Sequence, residues 1–213
     1  MKTLLVMTGP QGSGNHLWSK VLAETPDVHG WSDLSKTYWI SHTTEPFADL
    51  WENPHLFQTT TFPYDYYVTS ISCPYMPKGR FKLFDETGRV IPKYLEFFEQ
   101  AKLAGFNIKL AIIGRDFNIL NFQQKRLRNT ITTPRFIDQL DLLLKYDPVF
   151  ISTELLYLYR MHYVKQISKL LDFPIAISPG SLENILKDNS NLKYIKPADA
   201  EQVWLDDVIK GKK

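Results

Sequence analysis

The sequence predicts an α/β fold in which helices flank a central parallel sheet. Short apolar runs, typical of buried strands, alternate along the chain with segments whose apolar residues recur at helical spacing. The first of these runs leads into a glycine-rich loop and then a helix within the first 25 residues. Because parallel strands need crossover connections, this alternation favours a parallel sheet. No repeat or linker divides the chain, so we expect residues 1–213 to form one domain.

The individual elements are predicted from apolar periodicity and from the glycines and prolines that bound them. Strands are expected at residues 3–8, 67–73, 108–113 and 149–152, with a short last strand at 175–177. Helices are expected at residues 15–25, 46–52, 92–104, 117–128, 134–146 and 154–171, and an amphipathic helix around 204–209. Residues 85–88 form a predicted turn. Proline opens the 92–104 helix at its first position, and Thr133 is the expected N-cap of the 134–146 helix.

The composition excludes several classes of protein. Hydrophobic residues make up 44% and charged residues 23% of the chain, which argues against disorder. A formal charge of +2 argues against a charge-driven partner of duplex nucleic acid. The single Cys73 rules out an internal disulfide, and no Cys/His spacing resembles a zinc site. No apolar run is long enough for a signal peptide or a membrane span, so we expect a soluble, cytoplasmic protein.

A glycine-rich loop occupies residues 9–16 (GPQGSGNH), between the first strand and the first helix. Glycines allow backbone N–H groups to turn inward, and the following helix N-terminus adds partial positive charge. The loop therefore predicts phosphate binding; the alternative is a tight strand-to-helix turn without a ligand. An ATP-binding loop continues with Lys and Ser/Thr, the hydroxyl binding magnesium, but here Asn15 and His16 stand in those places. We therefore expect no metal.

In this loop the sequence resembles the P-loop sulfotransferases, which use 3′-phosphoadenosine 5′-phosphosulfate as donor and need no metal. The resemblance is carried by residues 13–18 (SGNHLW), by the strand that precedes residues 115–117 (RDF), and by residues 149–156 (VFISTELL) and 167–175 (ISKLLDFPI). These segments follow the family's order. The resemblance implies a P-loop NTPase-like fold of three layers.

The family resemblance also implies roles for particular residues. Arg115 corresponds to the arginine that binds the donor's 3′-phosphate, and Gln123 stands eight residues later, where the family usually has serine. The rigid fork of Arg115 suits a phosphate, whereas an ion pair with Asp116 or a neighbouring carboxylate is the alternative. The residues implied to surround the 5′-phosphosulfate are Gly12, Ser13, Gly14, Asn15 and His16.

The sequence departs from the family at the positions that carry the chemistry. Gly12 replaces the loop lysine or arginine, residues 70–74 (SISCP) replace a segment with the usual catalytic histidine, and no Arg-Lys-Gly run follows. Whether the chain is an enzyme therefore stays open. His16 is the candidate base and Lys20, one helical turn further, the candidate cation. The alternative for His16 is a residue at the helix N-terminus that is only hydrogen-bonded to solvent or to a carbonyl.

The leading hypothesis is sulfonate transfer to a hydroxyl of a small molecule or glycan. A nucleotide or nucleoside kinase with an aberrant loop, and a non-catalytic phosphate-binding module, are the alternatives. Aromatic residues make up 14% of the chain and are frequent between residues 31 and 75, where they form either the acceptor side or part of the core. His29 and His42 lie in that region or just before it, without an assigned role. A basic cluster, Lys125, Arg126, Arg128 and Arg135, is interpreted as a solvated surface.

Overall fold

A parallel sheet forms the centre of the computed structural model, which describes residues 2–30, 47–77, 88–187, 189 and 191. Its five strands are paired in the order β2-β3-β1-β4-β5, and every pair of neighbours is parallel. The strands are β1 (Lys2–Pro10), β2 (Val28–His29), β3 (Tyr66–Cys73), β4 (Phe106–Gly114) and β5 (Val149–Ser152).

Eight α-helices lie among the described residues. They are α1 (Asn15–Ala23), α2 (Ala48–Glu52), α3 (Tyr94–Leu103), α4 (Phe117–Arg128), α5 (Thr133–Ile137), α6 (Leu140–Leu144), α7 (Thr153–Leu171) and α8 (Pro179–Leu186), and a 3₁₀ helix spans Pro54–Gln58. Within the described ranges, none combines the length and apolar character needed to cross a bilayer.

Helices cover both faces of the sheet because successive strand residues point to opposite sides. Leu4 and Val6 of β1 belong to a core that also contains buried residues of α2, α3, α5 and α6. Leu5 and Met7 belong to a second core, formed with α1, α7 and α8. The predicted α/β class, a three-layer fold with a central parallel sheet, is therefore confirmed.

The described aromatic residues are mostly core residues. Trp51 is fully buried, and its ring stacks on Phe97 with 3.6 Å between centroids, while its indole N–H donates to Thr69 Oγ1 at 3.0 Å. Tyr64 is 48% exposed and stacks on His29. Between residues 47 and 75, all of them described, core packing rather than an acceptor cleft accounts for most of the aromatic residues. Residues 31–46, including His42, lie outside the described ranges.

The predicted helix at 134–146 is wrong as a single element. The α-helical hydrogen-bond pattern is interrupted between α5 and α6, where Gln139 N–H donates to Phe136 O, three residues back instead of four. Only Phe136 and Leu143 of the predicted apolar face are buried, whereas Ile137 is 52% exposed. Thr133 lies within α5 rather than capping it, because its N–H and hydroxyl both donate to the side chain of Gln124.

Two other boundaries also differ from the prediction. Residues 175–177 form no strand, since Ala176 N–H donates to Thr25 Oγ1 at 3.1 Å instead of joining the sheet. The helix predicted to open at proline begins later, at Tyr94. The elements β2, α8 and the 3₁₀ helix had no predicted counterpart. Most of the turn predicted at 85–88, and the helix around 204–209, lie outside the described residues.

Cys73 is a buried structural residue at the end of β3. Its thiol lies 3.7 Å from the carbonyl oxygen of Arg135, and burial raises its pKa from 9.0 to about 12. Since the thiolate is the reactive form, we expect native protein to resist iodoacetamide at pH 8 and to react at the rate at which it unfolds. Cys73 is also fully buried in the folded protein, so the reagent does not reach the thiol at the surface.

The matching control is the urea-unfolded chain, which should be alkylated at once at the same pH. The raised pKa also makes the stability of the fold depend on pH, because the thiol of the unfolded chain ionises at a lower pH than the thiol of the native protein. The contribution of Cys73 to stability is therefore present below pH 9 and is lost as pH rises towards 12. Rapid alkylation of the native protein would contradict a buried, protonated Cys73.

Candidate phosphate-binding site

The glycine loop lies at the carboxyl end of β1, the middle strand of the sheet. Open α/β sheets bind ligands at this edge. Gly12 has φ +88° and Gly14 has φ +116°, values that side-chain-bearing residues rarely adopt. Ser13 N–H donates to Pro10 O at 3.0 Å, which closes the turn. The backbone therefore follows a tight path that needs glycine at both positions.

The N-terminus of α1 opens directly behind this loop. Gly14 is its N-cap residue, and no side chain caps the helix. The first turn also contains no acidic residue. Helix N-terminal N–H groups and the helix dipole favour an anion, so this end of α1 has the chemistry of a phosphate site.

Three consecutive loop carbonyls are held from outside the loop. Gln11 O accepts from Gln124 Nε2 at 2.7 Å, Gly12 O from Arg115 Nη1 at 2.6 Å, and Ser13 O from Thr153 Oγ1 at 2.6 Å. Their donors come from α4, from the end of β4 and from the start of α7. The loop conformation is thus fixed by residues far apart in the sequence.

A buried polar network extends this support. Gln11 Oε1 accepts from Thr132 Oγ1 at 3.0 Å, and Gln124 Oε1 accepts from the backbone N–H of Thr132 at 2.7 Å. Gln124 is fully buried and Gln11 is 2% exposed. Sequence reasoning did not find Gln11, Gln124, Thr132 or Thr153, because no local sequence pattern shows that a glutamine or threonine supports a loop elsewhere in the fold.

Arg115 lies where the sequence predicted, directly beyond β4 and against the loop. Besides Gly12 O, its Nη1 donates to Gln123 Oε1, and its Nε donates to Asn191 Oδ1 at 3.0 Å. The structure therefore brings Gly12, Arg115 and Gln123 together. Asp116, the alternative partner of Arg115, accepts from Asn118 N–H at 2.9 Å and caps α4.

The remaining loop residues are mostly engaged in packing. Ser13 is fully buried, and its hydroxyl lies 3.4 Å from Asn15 Oδ1. Asn15 Nδ2 donates to Ser72 Oγ at 2.9 Å, which joins the first turn of α1 to β3. His16 and Lys20 are partly buried on α1, four residues apart. The predicted catalytic roles of His16 and Lys20 stay predictions.

A second concavity lies between α7 and α8. It has a volume of about 460 Å³ and is lined by Tyr157, Arg160, Glu183, Asn184, Leu186, Lys187 and Asn189. Arg160 interrupts α7 with φ +48° and ψ −124°, and its side chain pairs with Glu183. None of the predicted site residues lines this cavity. In the described part of the chain, no three His, Cys, Asp or Glu side chains form a group that could hold a metal ion.

No family model and no curated protein matches this sequence. Among solved structures, the chain is similar to the crystal structure of mouse sulfotransferase SULT7A1 complexed with PAP. The two are 15% identical and superpose with a TM-score of 0.44, over 92% of this chain and 68% of that one. A likeness at this level does not transfer a ligand or a reaction.

Proposed function

We propose that the chain binds 3′-phosphoadenosine 5′-phosphosulfate and transfers its sulfonate to a hydroxyl acceptor. The observation that carries the proposal is the contact of Arg115 with the glycine loop, 2.6 Å from Gly12 O. It places an arginine beside a helix N-terminus that no side chain caps. Two adjacent anion-binding elements suit a ligand with two phosphate-type groups.

The roles follow from the arrangement together with the family resemblance. Gly12, Ser13, Gly14, Asn15 and His16 surround the 5′-phosphosulfate, and Arg115 with Gln123 binds the 3′-phosphate. The donor supplies the sulfonate without a metal. His16, in the first turn of α1, takes the acceptor's proton, and Lys20, about 6 Å further along the helix axis, meets the developing charge. A small-molecule or glycan acceptor and a cytoplasmic location stay predictions.

One observation favours a non-catalytic phosphate-binding module as the second candidate. Gly12 has φ +88°, a conformation in which any side chain is strained, so the loop backbone disfavours the family's lysine at this position. A chain of this kind would keep phosphate affinity without the loop cation. Binding of adenosine 3′,5′-bisphosphate without sulfonate transfer to any of a broad panel of acceptors would favour this candidate.

Nucleotide selectivity tests the proposed donor. We expect adenosine 3′,5′-bisphosphate at 100 times its dissociation constant to stabilise the protein by about 2.7 kcal/mol, whereas ATP with magnesium should not. Arg115→Ala should weaken binding of the bisphosphate by at least about tenfold, because a charge-assisted pair of hydrogen bonds is lost. Binding of adenosine 5′-monophosphate should weaken less, since for that ligand the substitution removes only the anchor of Gly12 O. Thermal shift and isothermal titration calorimetry measure both effects.

Arg135→Ala is the matched control, since Arg135 is an exposed arginine on α5. It should leave both affinities unchanged. Stabilisation by ATP with magnesium alone would support the kinase alternative. Absence of a response to either nucleotide would reject both nucleotide hypotheses, and equal losses for both adenosine ligands would remove the 3′-phosphate from Arg115.

A further inference from the structure

We propose that Asn191 competes with anions for Arg115 and thereby sets the affinity of the site. The inference rests on the proposed function, in which Arg115 is an anion ligand. Asn191 Oδ1 accepts from Arg115 Nε at 3.0 Å and from Nη2 at 2.5 Å. These two nitrogens form one edge of the guanidinium group, the edge that takes an oxyanion in paired hydrogen bonds. An amide oxygen thus occupies the place of a phosphate oxygen.

The orientation of the Asn191 amide is set by its neighbours. Asn191 Nδ2 donates to Glu154 Oε1 at 3.4 Å, and Glu154 Oε2 in turn accepts from Ser152 Oγ at 3.1 Å. A flipped amide would turn its NH₂ group towards the guanidinium and its oxygen towards the carboxylate, which are both repulsive contacts. Asn191 N–H donates to Asn189 Oδ1 at 2.9 Å, and Asn191 is 5% exposed. The oxygen is therefore held on Arg115.

Arg115 has separate contacts that keep it in place without Asn191. Its Nη1 donates to Gly12 O at 2.6 Å and to the side chain of Gln123. Removing the Asn191 amide therefore takes this competing acceptor from the Nε/Nη2 edge but leaves the guanidinium against the glycine loop. Because hydrogen bonds between two charged groups are stronger than those to a neutral amide, an anion can displace Asn191, at the cost of the contacts that it loses.

Inorganic phosphate is the probe that tests this competition, with affinity measured by calorimetry on the full chain. Asn191→Ala should bind phosphate about tenfold more tightly, since the competing amide is gone. Asn191→Asp, made together with Glu154→Gln so that no second carboxylate faces the new one, should bind phosphate at least tenfold more weakly, since a carboxylate pairs with Arg115 more strongly than an amide. Asn184→Ala is the matched control, because Asn184 is an exposed residue of α8 and should change nothing.

A double-mutant cycle separates competition from an indirect effect. In the Arg115→Ala background, Asn191→Ala should no longer raise the phosphate affinity, because the contested edge is absent. A gain that persists there would overturn the proposal, as would unchanged or weaker phosphate binding in Asn191→Ala. Failure of every variant to bind phosphate would overturn it too. Tighter phosphate binding without preference for adenosine 3′,5′-bisphosphate would keep this inference and reject the proposed donor.

Discussion

Gly14→Ala is expected to abolish phosphate binding by the loop and to lower the free energy of unfolding by about 2–5 kcal/mol. At φ +116°, a side chain is strained whatever the space around it. The added Cβ would also lie 2.4 Å from Thr153 Oγ1. That hydroxyl holds Ser13 O at 2.6 Å, so relief of the clash must displace either the loop or its anchor. Calorimetric titration with phosphate and urea unfolding measure the two losses.

Gly105→Ala separates the cost of backbone strain from the cost of the contact with Thr153. Gly105 has φ +86°, but nothing lies within 4 Å of an added Cβ. It follows α3, away from the glycine loop, so its substitution should cost only the backbone strain, about 1–2 kcal/mol, and leave phosphate affinity unchanged. Equal stability losses in the two variants would show that the contact with Thr153 contributes nothing. Unchanged phosphate binding in Gly14→Ala would contradict a loop that depends on this glycine.

The elements with strong local signals could be predicted from sequence. Helix α4 spans Phe117–Arg128 and strand β5 spans Val149–Ser152, both as predicted. In α4, Asp116 supplies the N-cap, and in β5 the apolar run is bounded by polar residues. Such signals depend only on residues that are close in sequence, so they can be recognised without knowledge of the tertiary structure.

The errors arise where distant contacts decide the local structure. The spacing of apolar residues at 134–146 is compatible with one continuous helix that has an apolar face, but α5 and α6 bury only part of that face. The N-terminus of α5 is satisfied by Gln124, from another helix. Likewise, residues 175–177 have the composition of a strand, yet Ala176 bonds to Thr25, at the end of α1. Neither contact can be inferred from the residues adjacent to it in sequence.

The candidate site likewise has parts that could be predicted from the sequence and parts that could not. The glycine loop could be predicted, because a strand, two positive-φ glycines and a helix are adjacent in sequence. The position of Arg115 could also be predicted, since the end of a buried strand reaches the same edge of the sheet. Its partner Asn191 could not, because the contact spans 76 residues. The anchors of the loop carbonyls are separated from it by still longer stretches of chain.

Gln124→Ala is expected to lower the free energy of unfolding by about 3–5 kcal/mol and to weaken phosphate binding. Gln124 is fully buried, donates to Gln11 O at 2.7 Å and accepts from the backbone N–H groups of Thr132 and Thr133. Truncation leaves these groups without that partner in a buried site, where each costs about 1–3 kcal/mol. The loop also loses one of its anchors, so its N–H groups should bind phosphate less well.

Two controls isolate the hydrogen bonds of Gln124. Gln124→Met keeps a side chain of similar length, so it should lose nearly as much stability as Gln124→Ala if polar contacts rather than a cavity carry the cost. Gln166→Ala removes an exposed glutamine from α7 and should change stability by less than about 0.5 kcal/mol. Urea unfolding gives all three values. Full stability in Gln124→Met would show that the buried network is not what fixes the glycine loop, because only the side-chain volume would then matter.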